Sequence, residues 1–539
     1  MPGWNFADVL EVVAQQVPDA PALVHGERRV AWADFDRRAN GIARTLLDRG
    51  AQEQDKVAQY LYNGPEYLES MFGTFKAGLA PINTNYRYLD EELVYLWDNG
   101  DVVAVVFHGS FADRIEGIRD RVPRVTTWLW VDDDSGPCPE WAIPYEAAAD
   151  AGTPEPVAGP WGRDGDHLLL LYTGGTTGMP KGVMWRQDDL FRAIVSTFVG
   201  GVREAPDQDL DIIRGAVTAP GPRGMPACPL MHGTGCFTQL IILSGGGCSV
   251  TLESRNLDIE EMLSTIEREG VNTIAIVGDA FAKPMLRALD ASPGKHDISS
   301  LFMVSSSGVM FSEESKEGLL RHHPGMMIVD AFSSSEALGM GQSVSTAAGT
   351  STTARFELGE NAKVITDDGR EVQPGSGESG RVAVGGFQPV GYYKDPEKTS
   401  ATFIEFEGKR YSVPGDYAIV EADGTLTLLG RGSVCINTGG EKVYPEEVEE
   451  VLKTHESVAD AVAVGVPDEK FGEAITAVVE LASGSSLDEG AIIGHVKGKL
   501  AAYKAPKRVL SIDTIGRAPN GKVDYKRLKA WAAEQVGAA

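Results

Sequence analysis

Short apolar runs alternate with helix-patterned segments along most of this chain, and that alternation restricts the fold more than any other feature. Residues 21–25 read as a strand, followed by a turn at Gly26-Glu27. Residues 35–48 read as a helix that Asp34 could cap, with Phe35, Ala39, Ile42, Ala43 and Leu46 on one face. A strand is expected at 57–61, and an amphipathic helix at 66–77 that stops at Gly78. A strand from Ala80, a helix at 90–98 and strands at 102–107 and 126–131 follow. After a Pro/Gly-rich loop at 154–165, helices at 258–269, 284–291 and 313–322 interleave with strands at 273–277, 301–304 and 326–329. Strands separated by helices at this spacing form βαβ units, so the fold class is α/β with mainly parallel sheets. From 354 to 420 the texture changes to short β runs with turns at Asp367-Asp-Gly, Pro374-Gly-Ser-Gly and Ala422-Asp-Gly, which marks a β-rich subdomain. A compact tail follows Gly430-Arg431: helix 445–453, strands 459–466 and 474–480, helix 488–500, strand 508–512 and a last helix. The expected division is therefore a large N-terminal part, 1–430, and a small C-terminal α+β part, 431–539.

A chain of 539 residues is long enough for three or four units at roughly 150 residues each. Its formal net charge of -28 repels nucleic acid and anionic membrane surfaces, so neither is expected as a partner. The same field repels nucleotides, so a nucleotide site here must supply its own donors and cations. Five scattered cysteines argue against a disulfide framework and for a reducing compartment. No basic-then-apolar leader opens the sequence and no apolar run reaches membrane-spanning length. A cytoplasmic enzyme is the expectation.

The segment that points to chemistry is Leu168-Leu-Leu-Leu-Tyr-Thr-Gly-Gly-Thr-Thr-Gly-Met-Pro-Lys181-Gly-Val183. A buried strand leads into a stretch of glycines and hydroxyls that ends at a lysine. Gly174, Gly175 and Gly178 let backbone N–H groups approach an anion, Thr173, Thr176 and Thr177 add hydroxyl donors, and Lys181 adds charge. Together they read as a phosphate cradle; the alternative is a glycine-rich surface turn. The P-loop pattern fails, because Pro180 precedes the lysine and Gly182 follows it. Gly516–Lys522 has P-loop spacing, but Val523 replaces the Ser/Thr that would meet Mg²⁺. Gly375–Gly380 matches G-x-G-x-x-G, yet leads into a strand rather than a helix, so the dinucleotide reading fails. Cys228, His232, Cys236 and Cys248 have no common zinc spacing, and no G-x-S-x-G elbow occurs.

Other candidates lie on loops expected at the C-terminal edge of the parallel sheet, where ligands bind in open α/β folds. They are Ser305-Ser-Ser-Gly308 and Asp330-Ala-Phe-Ser-Ser-Ser-Glu336. Phe332 offers a face for a purine, and Glu336 offers a hard oxygen for Mg²⁺. Downstream, Gly415-Asp416 could hold ribose hydroxyls and Gly430-Arg431 could bridge ribose and phosphate; a turn cap and a surface ion pair are the plainer readings.

In this order the Tyr172–Gly182 stretch, Phe332…Glu336, Gly415-Asp416, Gly430-Arg431, Gly439-Gly440-Glu441…Pro445-Glu446-Glu447-Val448-Glu449 and Gly521-Lys522 resemble the acyl-adenylate-forming superfamily along nearly the whole chain. Gly278-Asp279-Ala280, Pro389-Val-Gly-Tyr-Tyr-Lys-Asp395 and Gly432-Ser-Val-Cys-Ile-Asn look most like actinobacterial acyl-CoA ligases of the fatty-acid and steroid side-chain type. The resemblance implies an ATP-dependent acyl-CoA ligase that activates a carboxylic acid, long-chain or steroid-side-chain, as acyl-AMP and then forms the CoA thioester. It also implies a mobile C-terminal lid domain carrying the catalytic lysine. ATP, Mg²⁺ and coenzyme A are the implied cofactors and cosubstrates, and a homodimer is left open.

By position, the resemblance places ATP on Thr173, Gly174, Gly175, Thr176, Thr177, Gly178, Lys181, Ser307, Gly308, Asp330, Ala331, Phe332, Ser335, Glu336, Asp416, Arg431 and Lys522. Glu336 and Thr176 are the implied Mg²⁺ ligands, and Phe332 lies against adenine with Asp330 at its amino group. Lys522 serves the adenylation step, with Glu336, Thr176 and His232 as further catalytic candidates. Gly439, Gly440 and Glu441 resemble the loop lining the pantetheine tunnel. His232, Gly278, Asp279 and Ser306 border the acyl pocket, and Ser433 stands at the hinge, where relatives carry Asp or Lys. Phe332 replaces the usual tyrosine, and Ser306-Ser-Gly-Val309 replaces a Gly-Gly-Ala-Pro segment. Competing readings are loading of a separate carrier protein, weighed against a chain ending at Ala539 with no fused carrier, a medium-chain or aromatic-acid CoA ligase, a luciferase-like oxygenase and a non-catalytic nucleotide sensor.

Overall fold

The structure is a computed structural model that describes residues 3–175, 178–438, 441–468, 472–500, 502–518 and 521–538. Thr176, Thr177, Gly439 and Gly440 lie outside the described residues, as do the side chains of Ser433 and Glu441. Compactness divides the chain into two units. The first takes residues 1–339, 343–353 and 385–412; the second takes 340–342, 354–384 and 413–539.

The first unit contains two sheets. In one, Arg28–Ala31 pairs antiparallel with Pro21–His25. The order then runs Cys248–Thr251, Arg223–Pro226, Thr273–Ile276, Met303–Ser307 and Met327–Ser334, each pair parallel. In the other, the parallel order Ala80–Asn83, Lys56–Tyr60, Val102–His108, Thr127–Val131 and Ile143–Pro144 extends from Leu168–Gly175. Leu168–Gly175 in turn forms a hairpin with Gly178–Arg186, and Gly391–Tyr392 adds the edge. The expected α/β class with parallel sheets is thus observed. In the second of these sheets the strands Val102–His108 and Thr127–Val131 are apolar almost throughout, as two-sided burial requires, whereas Met303–Ser307 and Met327–Ser334 of the first carry serines and Asp330.

Five details differ from the sequence reading. The 32–48 helix begins at Trp32 with Ala31 as its N-cap; Asp34 lies in the first turn and pairs with Arg37 at 3.2 Å instead of capping. The Pro65–Lys76 helix is not amphipathic in its surroundings: every residue is buried. It is enclosed by the Phe6–Gln16 and Trp32–Asp48 helices and by strands Lys56–Tyr60 and Ala80–Asn83. Its polar residues are paired inside. Arg38 meets Glu69 through two bonds of 2.8 and 3.0 Å, and Lys76 meets Glu11 and, at 2.7 Å, Asp36. The helix expected at 284–291 starts at Asp279, where the carboxylate accepts from the backbone N–H of Ser312 (3.1 Å) and anchors an earlier first turn. The strand expected to end at Val329 runs on to Ser334, and the one expected at 301–304 is Met303–Ser307, so Asp330–Ser334 and Ser305–Ser307 are sheet rather than loop. The cradle is a hairpin rather than an open loop, with Thr173 opposite Lys181 and Gly175 opposite Gly178.

In the second unit, Arg355–Leu358, Thr425–Arg431, Asp416–Val420, Ser379–Val384 and Ala362–Ile365 form an antiparallel sheet. This is the expected β-rich subdomain. The tail builds a separate sheet from Glu441–Val443, Ile436–Thr438, Gly472–Leu481 and Val458–Asp468, with Arg508–Ser511 parallel to Gly472–Leu481. Helices Pro445–Lys453, Glu489–Lys499 and Tyr525–Ala538 flank it. No helix among the described residues is long and apolar enough to cross a membrane.

Candidate active site

In the first unit the cradle is held by neighbours the sequence did not single out. The buried Asn83 side chain donates to the carbonyls of Tyr172 (2.9 Å) and Met231 (2.7 Å), and its oxygen accepts from the Tyr172 N–H at 2.6 Å. One amide therefore ties the strand entering the cradle to the residue before His232. His232 is the N-cap of the Gly233–Ser244 helix. Lys181 pairs with Asp395, whose other oxygen caps the Pro396–Thr402 helix by accepting from Lys398 N–H at 2.8 Å. The Lys181 ammonium holds the Asp395 carboxyl below its ordinary range.

The hairpin is also fastened to the turn carrying Glu336. Trp185 donates its indole N–H to the Ser335 carbonyl at 2.9 Å. Tyr392, paired in register with Val183, donates its hydroxyl to Glu336 Oε1 at 2.7 Å. Ser412 donates to the Glu336 carbonyl at 2.7 Å. The cradle and the Glu336 turn therefore face common supports, and a hard carboxylate oxygen stands beside a phosphate-type loop.

Adjacent strands bring the next candidates together. Ser306 lies opposite Asp330 and Ser307 opposite Ala331 in parallel register. The Ser306 hydroxyl accepts from the Gly278 N–H at 2.9 Å, which links two acyl-pocket candidates. Gly308 is exposed with φ +97°, and a Cβ there would meet only Val277 and Thr234 at about van der Waals distance. Gly278 has φ +49° and ψ -146°, and a Cβ on it would collide with the carbonyls of Val309 and Met310. Gly278→Ala is expected to cost about 1–3 kcal/mol, the range for a strained backbone position, read as a lowered melting temperature. Phe332 is buried, with 8% of its surface exposed.

The remaining candidates belong to the second unit. Asp416 and Arg431 are register partners, and Arg431 Nε donates to Asp416 Oδ1 at 3.3 Å. Asp416 is buried, and among the described residues its Oδ2 has no hydrogen-bond partner. A buried carboxylate oxygen left without a donor is costly, and a ligand hydroxyl would satisfy it. The Arg431 N–H lies 3.4 Å from Glu446 Oε1. Burial, reinforced by the Glu449 carboxylate, pushes Glu446 up to about 8. Lys522 is exposed on a tight turn in which Gly521 N–H donates to the Ala518 carbonyl at 2.8 Å and Ala518 N–H to the Lys522 carbonyl at 2.9 Å.

Comparison with known proteins bears on this arrangement. The AMP-binding enzyme family matches residues 10–393, and the AMP-binding enzyme C-terminal domain matches 447–522. This chain belongs to the AMP-binding enzyme family. The enzyme is 40% identical over 539 residues to a medium/long-chain-fatty-acid–CoA/3-oxocholest-4-en-26-oate–CoA ligase of Mycobacterium tuberculosis, covering 99% of this chain and 96% of that protein. It is also 40% identical to the 3-oxocholest-4-en-26-oate–CoA ligase of Rhodococcus rhodochrous, covering 99% and 96%. It is therefore an acyl-CoA synthetase of the actinobacterial type. Among solved structures, the anthranilate CoA ligase AuaEII with anthranoyl-AMP superposes with a TM-score of 0.85 at 21% identity, covering 100% of this chain and 99% of that one. ATP-bound MatB from Rhodopseudomonas palustris gives 0.80 at 23% identity, covering 99% and 100%. At those identities the likeness is one of fold: an AMP-binding enzyme with a large N-terminal and a smaller C-terminal domain.

The residues that sequence reasoning missed in this AMP-binding enzyme are supports. Trp185, Tyr392 and Asp395 touch the predicted site residues Ser335, Glu336 and Lys181, and Asn83 touches Tyr172 on the strand entering the cradle. The available signals were the Pro389–Asp395 stretch and the Val183-Met-Trp185 end of the cradle segment, which marked a family likeness but assigned no task to Tyr392, Asp395 or Trp185.

Proposed function

We propose that this ATP-dependent acyl-CoA ligase acts on a long-chain or steroid-side-chain carboxylic acid. The fastening of the Thr173–Lys181 hairpin to the Glu336 turn through Trp185 and Tyr392 carries the nucleotide half of the reading. The names of relatives at 40% identity support the acid class. Gly308, exposed and with no neighbour closer than 3.9 Å to a Cβ placed on it, supports a roomy acyl site near His232, Gly278, Asp279 and Ser306.

The reaction has two halves. A carboxylate oxygen attacks the α-phosphorus of ATP, the α–β phosphoanhydride breaks, and pyrophosphate leaves. The CoA sulfur then attacks the acyl carbon, its proton passes to solvent, and AMP leaves. In the first half Thr173 and Lys181 grip the phosphates, Asp330 and Phe332 meet adenine, and Asp416 with Arg431 holds the ribose. Lys522 brings positive charge to the α-phosphate as negative charge develops there. The 1–430 and 431–539 division, with Ser433 at the hinge and Gly439, Gly440 and Glu441 serving the CoA half, completes the reading. Glu336 suits Mg²⁺: one carboxylate oxygen is fixed by a phenol, the donor is hard, and phosphates would complete the shell. When bound, the ion supplies charge neutralisation at those phosphates.

Scanning pyrophosphate release over acetate, octanoate, palmitate and a steroid side-chain acid tests the acid class. Turnover is expected to be highest with the last two; a maximum at acetate would overturn it. Tyr392→Phe is expected to raise the half-saturating Mg²⁺ concentration about tenfold, because it frees the Glu336 carboxylate to rotate. A Mg²⁺ titration of the initial rate checks this.

A further inference from the structure

Behind Asp330 lies a buried lysine that neither the motifs nor the comparisons assign. Lys316 sits on the Glu313–His322 helix with 1% of its surface exposed. Its Nζ is 3.4 Å from Asp330 Oδ2 and donates to Ser351 Oγ at 3.0 Å. Ser351 Oγ is in turn bonded to Ser343 Oγ at 3.0 Å and Ser345 Oγ at 2.9 Å. The helix is pinned at its start, where Glu313 N–H donates to Thr353 Oγ1 (2.9 Å) and Ser312 Oγ donates to Asp279 Oδ1 (3.0 Å). Lys316 therefore cannot turn away to solvent without breaking the cluster, and the face of the Phe311 ring lies on another side of its ammonium at 5.6 Å.

Burying a Lys–Asp pair stabilises a fold little, since desolvation of both charges offsets their attraction. A pair of well-packed apolar residues would hold these elements at least as firmly. What the lysine does that an apolar residue cannot is keep a carboxylate charged in a dry place. We propose that Lys316 is a positioning residue for nucleotide recognition: it keeps Asp330 ionised and aimed, so that the carboxylate accepts a hydrogen bond from the adenine amino group. This rests on the assignment of Asp330 to adenine made above.

The electrostatics agree with the geometry. Burial pushes the Asp330 carboxyl up to about 6, with Lys316 pulling the other way. Asp279 on the Asp279–Ala291 helix adds a smaller upward push; Lys283 lies 3.4 Å from it. Lys316 and Asp279 are the charged groups facing Asp330 from the two helices. With Lys316 neutralised, burial and the Asp279 charge act unopposed by that ammonium, and the carboxyl is expected to hold its proton to higher pH. A protonated acid no longer accepts as an anion and can donate to a 6-keto base.

The test uses the full-length enzyme, ATP and ITP. ATP affinity of the wild type, by calorimetry and as KM, is expected to weaken as pH falls through about 6. Lys316→Met is expected to move that inflection up by about two pH units, which at pH 7 is about a tenfold rise in KM for ATP with a smaller change in kcat. Its preference for ATP over ITP should fall at least fivefold. In an Asp330→Asn background, whose amide does not titrate, Lys316→Met should change ATP affinity less than twofold. An unshifted pH profile in folded Lys316→Met, or an equal loss in the Asp330→Asn background, overturns the proposal. Should the Met variant not fold, Lys316→Gln keeps a hydrogen-bond donor without the charge and is read in the same way. Asp330→Ala with unchanged ATP affinity would instead overturn the adenine assignment itself.

Discussion

Lys522→Ala is expected to slow acyl-adenylate formation by about 10²–10³-fold, the usual cost of removing one charge-stabilising donor. Thioester formation from supplied acyl-AMP and CoA should stay within about threefold of wild type. The asymmetry follows from which atom is attacked: the first half passes through a crowded α-phosphorus whose oxygens Lys522 is proposed to neutralise, whereas in the second the thiol attacks a carbonyl carbon and AMP is the leaving group. Lys522 is exposed on a turn closed by Gly521, which has φ +71°. Its removal should therefore leave the fold intact. Pyrophosphate release measures the first half and consumption of synthetic acyl-AMP the second. Equal losses in both would overturn the division of labour.

Arg38→Met is expected to destabilise the first unit by about 3–5 kcal/mol, the cost of breaking a buried ion pair from one side. Glu69 has no exposed side-chain surface and takes two bonds from Arg38. Arg28 at 3.6 Å and the Tyr145 hydroxyl at 3.2 Å would remain beside it and soften the loss. Burial already raises the Glu69 carboxyl, with the Arg38 hydrogen bonds and charge opposing it. Without Arg38 the folded-state value rises further above that of the unfolded chain. Such a group favours folding at pH below its unfolded value and loses that contribution as pH rises through its folded value. The deficit should therefore be larger at pH 8 than at pH 6. The midpoint of the first urea transition, followed through the buried Trp4, Trp32 and Trp97, reports it. The double variant Arg38→Met/Glu69→Leu should recover most of the loss; no recovery would mean that packing, not the unpaired charge, dominates.

The parts of the fold legible in the sequence were those written by local periodicity. The Glu313–His322 and Pro445–Lys453 helices fell where the pattern put them, because a stripe of apolar residues between a cap and a stop needs no distant partner to be recognised. Misreadings arose where a distant group overrode the local signal. Asp34 has capping chemistry, but Trp32 is wholly buried and the helix starts there. Glu69 and Lys76 look like a solvent face, but Arg38, Glu11 and Asp36 come from other helices to meet them. Glycines and threonines in the cradle suggested an open loop, yet the ladder from Thr173–Lys181 to Gly175–Gly178 makes it a hairpin.

The candidate site divides in the same way. Residues proposed to meet a nucleotide were nominated as an ordered set rather than singly, each for the chemistry it offers: a lysine for phosphate, a carboxylate for Mg²⁺, an aromatic face for a base. By itself the sequence determined the reaction class, the order of the elements and the atoms available for the chemistry. Only the tertiary structure decided what holds those atoms. Asn83 bridging Tyr172 and Met231, Tyr392 holding Glu336, Asp395 holding Lys181 and Lys316 behind Asp330 are separated from their partners by 14 to 214 positions. Side chains such as these are ordinary in composition. They acquire a task only when folding brings them within hydrogen-bond distance in a dry interior, where one unpaired group is costly and one well-placed partner sets both charge and direction.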